Sequence, residues 1–213
     1  MSAANLSSKV KNSLPEISRR SVWLRRFSKF TAFATLLLIF AGGLVTSTGS
    51  GLAVPDWPNT YGYFMFSFPF SKWVGGIFYE HLHRLIAFFV GLVTLVLAFW
   101  LWRSDEKLWL KNLGWGALVA VIAQGVLGGI TVLFLLPTPV SVTHGVVAQS
   151  FFCITIAIAY FLSSEWKSDE APIKHSANES FFRWTALAAS FIFAQLILGA
   201  VMRHTGSGLA ILD

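Results

Sequence analysis

The sequence predicts an all-α polytopic membrane protein: a four-helix transmembrane bundle plus a fifth helix beginning a second, parallel repeat. Three observations carry this. Apolar residues make up 55% of the 213 and charged residues 12%, with a mean hydropathy of +0.65. A soluble domain carries about 25% charged residues to cover its surface. Five apolar runs approach or exceed the about 20 residues that cross a hydrocarbon core of about 30 Å. A glycine-rich block also occurs twice, at Thr48 and again 157 residues later at Thr205. With aromatics at 15%, disorder and low complexity are excluded. The single Cys153 rules out an intrachain disulfide or a multi-cysteine zinc site.

Residues 1–29 form a basic segment holding seven of the sixteen Lys and Arg, which the positive-inside rule places in the cytoplasm. The first apolar run, Phe30–Thr46, thins into Gly and Thr. It is long for a signal-peptide core and no small-x-small cleavage site follows, so it reads as a retained signal-anchor helix. The second, third and fourth runs are Gly76–Trp102, Leu113–Leu136 and Val140–Leu162, and residues 30–162 make one four-helix unit. The fifth run, Phe181–Met202, follows a loop at 163–180. Basic residues fall in the loops at 103–112 and 163–180, both inside, whereas the connection from Ser47 to Gly75 carries only Lys72 and falls outside. The net charge of +6 is therefore a topology signal, and nucleic-acid binding loses its support. The outer connection holds Pro55-Asp56-Trp57-Pro58 and a dense aromatic stretch, Tyr61–Phe70. Such density suits either an interfacial belt or a lid over an outer pocket.

The duplicated block extends over Gly42–Asp56 and Gly199–Asp213, with eight of fifteen positions identical. Helix five thus reads as a second copy of helix one, running in the same direction. Residues 181–213 are then the first helix and the start of the outer loop of a truncated second unit. The repeat predicts a fragment, or a natural chain lacking most of its second half.

Ionisable groups inside membrane spans are costly and usually functional. They concentrate at Glu80-His81-Leu82-His83-Arg84 in helix two, where Glu80, His83 and Arg84 share one helical face and His81 points away. Helix four carries His144 about one turn from its outer end, so His83 and His144 lie at similar depth. Two facing imidazoles suit bis-histidine ligation of a haem iron. Arg84 could pair with a propionate, and Gly145 would let a flat macrocycle approach the backbone. A structural polar cluster and a proton or ion path are the competing readings. Elsewhere, Gln124 and Gln195 read as interhelical hydrogen bonders, Gly125 and Gly129 as a close helix-packing pair, and Arg203-His204 as an interface anchor. Cys153 reads as a small buried hydrophobe, His175 as solvated, and Asp56 as a brace for its turn.

Taken in order, four features resemble the haem A synthase family over Phe30 to the C-terminus. They are Gly42-Gly-Leu-Val…Thr48-Gly-Ser-Gly-Leu-Ala-Val-Pro-Asp-Trp-Pro58, then Glu80-x-x-His83-Arg84, then Gln124-x-x-Leu-Gly128…Thr131-Val-Leu, then His144. The resemblance implies an eight-helix protein of two similar halves, each with a haem-ligating histidine pair. It also implies a membrane oxidoreductase that takes a ring methyl of haem O through the alcohol to the formyl group of haem A, for cytochrome oxidase assembly. His83 and His144 would be the axial ligands of the first-half site, which would take the substrate haem O, with Arg84 beside it. Glu80 would be the functional carboxylate, accepting or relaying a proton or stabilising a developing cation. A redox cofactor, haem b, belongs to the other half, whose histidines would fall near positions 240 and 301, past residue 213. Partners implied are haem O, membrane lipids, haem O synthase and an electron donor, in a bacterial or mitochondrial inner membrane. Oligomeric state stays open. Some members carry a cysteine pair in the first outer loop; this loop has none. Two alternatives stand beside the enzyme: a bis-histidine electron-transfer protein, and a proton-path or transport protein, which the parallel repeat disfavours.

Overall fold

The computed structural model describes residues 3–167 and 179–207. Their helices are α1 (Ala3–Ser47), α2 (Gly75–Arg103), α3 (Leu108–Leu133), α4 (Thr138–Phe161), the short α5 (Ser164–Lys167) and α6 (Glu179–His204). Two 3-10 turns, Met65–Ser67 and Phe70–Lys72, lie in the connection between α1 and α2. Five helices are long and apolar enough to cross a membrane, so this is an all-α membrane protein. His175 and Asp213 lie outside the described residues.

Helix ends follow local chemistry. The helix of the first span runs from Ala3, unbroken through the expected start at Phe30. Arg25, Arg26 and Lys29 sit on the helix itself, and the Arg26 guanidinium lies 5.3 Å over the Trp23 ring. Long basic side chains can reach an interface this way while the backbone stays helical. Helix α3 starts at Leu108 rather than Leu113. It stops at Leu133 because the chain turns through Leu135 and Leu136, at φ of 57° and 59°. Pro137 caps α4, and Pro139 stands in its first turn, where a missing N–H costs nothing.

Helices α1 to α4 close a ring in which each packs on its sequence neighbours and α4 returns to α1. Helices α2 and α4 therefore occupy opposite corners. Helix α6 packs chiefly against α4 and leaves Phe181, Trp184 and Leu198 about 70% exposed. The packed core sits at the basic end of the bundle, built on Leu97, Leu101, Leu110, Phe151 and Ile158. In a bilayer, such packing works by van der Waals contact rather than by leaving water. Gly114 of α3 permits the closest approach: a Cβ there would stand 2.8 Å from Leu101 Cδ1. Buried hydroxyls at this end are satisfied locally, Thr31 to the Phe27 carbonyl and Thr94 to the Val90 carbonyl. Cys153 is exposed on the outward side of α4, contrary to the expectation of a buried residue, because the interior of this stretch is taken by Phe151 and Thr155.

The opposite end carries the 48–74 connection and is packed differently. Leu82–Ala87 of α2, Leu118–Gly128 of α3 and Val142–Ser150 of α4 contain no fully buried residue. The membrane histidines stand in this looser half.

Candidate functional site

The one face predicted for Glu80, His83 and Arg84 serves two tasks. Glu80 and Arg84 turn to the connecting loop. The carboxylate accepts from the Val54 N–H through Oε2 (2.8 Å) and from Arg84 Nη2 through Oε1 (2.5 Å). Arg84 donates further to three loop carbonyls: Asp56 (2.6 Å), Asn59 (2.9 Å) and Val54 (2.9 Å). Both side chains are nearly buried, at 4% and 10% exposure. Charge-assisted bonds among groups so shielded from water make a strong fastening.

The loop has its own internal frame. Asp56 accepts from the N–H groups of Tyr61 (2.7 Å) and Gly62 (2.8 Å), so the expected brace is present. Tyr61 and Gly62, both at positive φ, form the tip of a two-residue hairpin closed by mutual Thr60–Tyr63 backbone bonds. His81 is wholly buried, with Nδ1 3.0 Å from Thr60 Oγ1 and its ring against Phe68 and Trp73. The Trp57 indole lies on Gly129 of α3, where a Cβ would come within 2.5 Å of the ring. Gly129 thus seats a loop tryptophan instead of a neighbouring helix. Gly125, its supposed packing partner, has nothing within 4 Å of a Cβ position. The aromatic stretch divides accordingly: Phe68 is buried in the frame, while Phe64, Phe66 and Phe70 face outward.

His83 turns away from the loop toward α1. Its ring lies against Gly42, and its Nδ1 is buried without a partner. His144, from the opposite corner, lies against Gly128 on α3, and its Nδ1 is also buried and unpartnered. Glycines flank both rings: a Cβ on Gly42 would stand 3.0 Å from His83 Cε1, and one on Gly128 3.4 Å from His144 Cε1. The Gln124 side-chain amide donates to the His144 carbonyl (2.9 Å), which meets the expectation of an interhelical bond.

Other predicted groups lie elsewhere. Gly145 lines a cleft between α4 and α6, together with Gln149, Phe193 and Leu196, and a Cβ there would meet nothing within 4 Å. Gln195 is exposed. His204 accepts at its carbonyl from Thr138 Oγ1 (3.1 Å), which ties the end of α6 to the start of α4. Residue patterns alone did not reveal the loop-fastening role of Glu80 and Arg84, the seat of Trp57, or the pairing of each imidazole with a glycine. Gly42 had a visible signal, since it heads the duplicated block. Among the described residues, no group of three or more His, Cys, Asp or Glu is placed to hold a bare metal ion.

A family model described as cytochrome oxidase assembly protein matches residues 25–213. Curated relatives named haem A synthase include that of Shouchella clausii, 30% identical over 196 residues, covering 88% of this chain and 61% of the relative. The one from Lysinibacillus sphaericus is 30% identical over 195 residues (88% and 60%), and that of Alkalihalophilus pseudofirmus 25% over 190 residues (88% and 62%). No solved structure matches. The chain spans about three-fifths of the length of these relatives.

Proposed function

We propose a function from one premise: the chain belongs to the haem A synthase family of cytochrome oxidase assembly proteins. In this reading the bundle holds haem O as substrate between His83 and His144, within an oxidoreductase that converts a ring methyl to the formyl group of haem A. The observation that supports it most is the pair of imidazoles from opposite corners, each with a buried Nδ1 that no protein group satisfies. Buried polar atoms are nearly always paired, so two such orphans at one level call for a shared ligand. Neutral nitrogen donors on facing helices fit an iron porphyrin. Bound there, the haem supplies the redox-active iron and the methyl carbon to be oxidised.

The chain's own residues bind, orient and enclose. His83 and His144 would hold the haem between the two helices. The loop, anchored by Arg84 and capped by Trp57 on Gly129, covers the end of the bundle and keeps water from the site. Glu80 has both carboxylate oxygens engaged, so in this arrangement it acts as a fixed charge holding the loop beside the ligand helix. Arg84 has four acceptors already, and a haem propionate would compete with the loop carbonyls for it. Electrons, a haem b in the remaining part of the enzyme, and delivery by haem O synthase complete the proposed reaction system. The amino terminus faces the cytoplasm or matrix.

The test is to express the full reading frame in a host making haem O and to extract haem. Haem A should accumulate, and Glu80→Ala should abolish it. Absence of haem A from the wild type, or a Glu80→Ala variant as productive as wild type, would count against the enzyme. The engagement of both Glu80 oxygens, by the Val54 N–H and by Arg84, favours one second reading, a bis-histidine electron-transfer protein without substrate chemistry. That reading predicts a His83- and His144-dependent reduced-minus-oxidised spectrum with no haem A formed.

A further inference from the structure

The two histidines are held by one device used twice. Helix α1 offers Gly42 to His83, and α3 offers Gly128 to His144; in both pairs the ring atom nearest the missing Cβ is Cε1. At 3.0 Å the His83 ring would have to shift to admit a methyl, and at 3.4 Å the His144 ring is already at contact distance. Nδ1 of each ring is buried and unpartnered.

We propose that Gly42 and Gly128 are positioning residues for the two imidazoles. Each leaves free the space its histidine ring occupies, which fixes the orientation in which the ring meets a shared ligand. Outer-shell partners orient metal-ligating histidines generally. Other glycines of the same helices do not share the role: Gly43 and Gly125, one and three residues away, have nothing within 4 Å of a Cβ. The inference rests on the haem reading for the identity of the ligand, but not for the geometry of the seats.

Two measurements on the full 213-residue chain in detergent separate the two claims. The first titrates purified protein with haemin and follows the Soret band. Wild type should give a low-spin, bis-imidazole spectrum that His83→Ala and His144→Ala lose. Gly42→Ala and Gly128→Ala should weaken binding about tenfold, the lower end of the effect of removing a second-shell partner, with a high-spin fraction appearing. Gly43→Ala and Gly125→Ala should titrate as wild type. The second records nitrogen-15 histidine spectra without haem. Gly42→Ala should shift the His83 resonances and spare His144, and Gly128→Ala the reverse. If wild type gives no low-spin spectrum, the haem reading fails while the second measurement still decides the seats. If Gly42→Ala and Gly128→Ala leave both the titration and the histidine resonances unchanged, the seats are wrong whatever the ligand.

Discussion

Along α2, the stretch from Val90 to Leu101 buries six residues: Val90, Val93, Thr94, Leu97, Ala98 and Leu101. The stretch from Leu82 to Ala87 buries none. Helix α4 repeats the contrast, with Phe151, Thr155 and Ile158 buried toward the basic end and no fully buried residue between Val142 and Ser150. The two halves of the same bundle therefore hold together by different means. The basic end is a dense apolar core whose hydroxyls bond within their own helix. The loop end relies on directional bonds: a buried ion pair and four donations from one guanidinium. Dense packing leaves no room for a large flat ligand; a hydrogen-bonded frame can hold its shape around one. Stability and binding should accordingly be separable by position.

Substitutions in each half test that separation. The largest effect is expected from Arg84→Met, which leaves the Glu80 carboxylate buried without its cation and removes three loop carbonyl contacts. Loss of one partner from a buried pair costs about 4 kcal/mol. Thermal unfolding in detergent should register this, and limited proteolysis should cut the 54–63 segment faster; a loop as protected as in wild type would defeat the fastening role. Leu101→Ala, at a fully buried position of the basic end, should cost about 3 kcal/mol through the cavity it leaves. Haemin titration should be unchanged by it, and a large loss of binding would show that the halves are not independent. Gly114→Ala would press a methyl into Leu101 and should cost about 2 kcal/mol by overpacking, again without spectral change. Smallest is Gln124→Leu, which removes one interhelical bond to the His144 carbonyl, about 0.6 kcal/mol in a membrane protein. Its signature should be spectral rather than thermal, since the bond lies in the histidine half.

The basic end was largely legible in the sequence, because apolar runs and basic flanks report span number and order directly. Even there, Arg25 and Arg26 concealed that the helix continues ahead of the apolar run, since snorkelling lets charged residues sit on a continuing helix. The loop end was legible only in its ionisable residues. His83 and His144 were found by depth, and Asp56 by its turn chemistry. The partners of Arg84 were hidden because they are backbone carbonyls of Val54, Asp56 and Asn59, and any residue supplies a carbonyl. Gly125 and Gly129 matched a helix-packing pattern, but which face of α3 meets the loop is set by tertiary docking that spacing does not encode.

That last property of Arg84 reaches beyond this one chain. A clamp that grips only main-chain atoms is indifferent to most side chains in the segment it grips, so the loop is free to drift in composition over evolutionary time. What it cannot easily change is its length, which would carry the three carbonyls out of register with the guanidinium. Nor can it accept proline at position 54, whose N–H is given to Glu80. Homologous loops should therefore keep their spacing, and vary in letters outside Asp56, Trp57 and Thr60, whose side chains are themselves engaged.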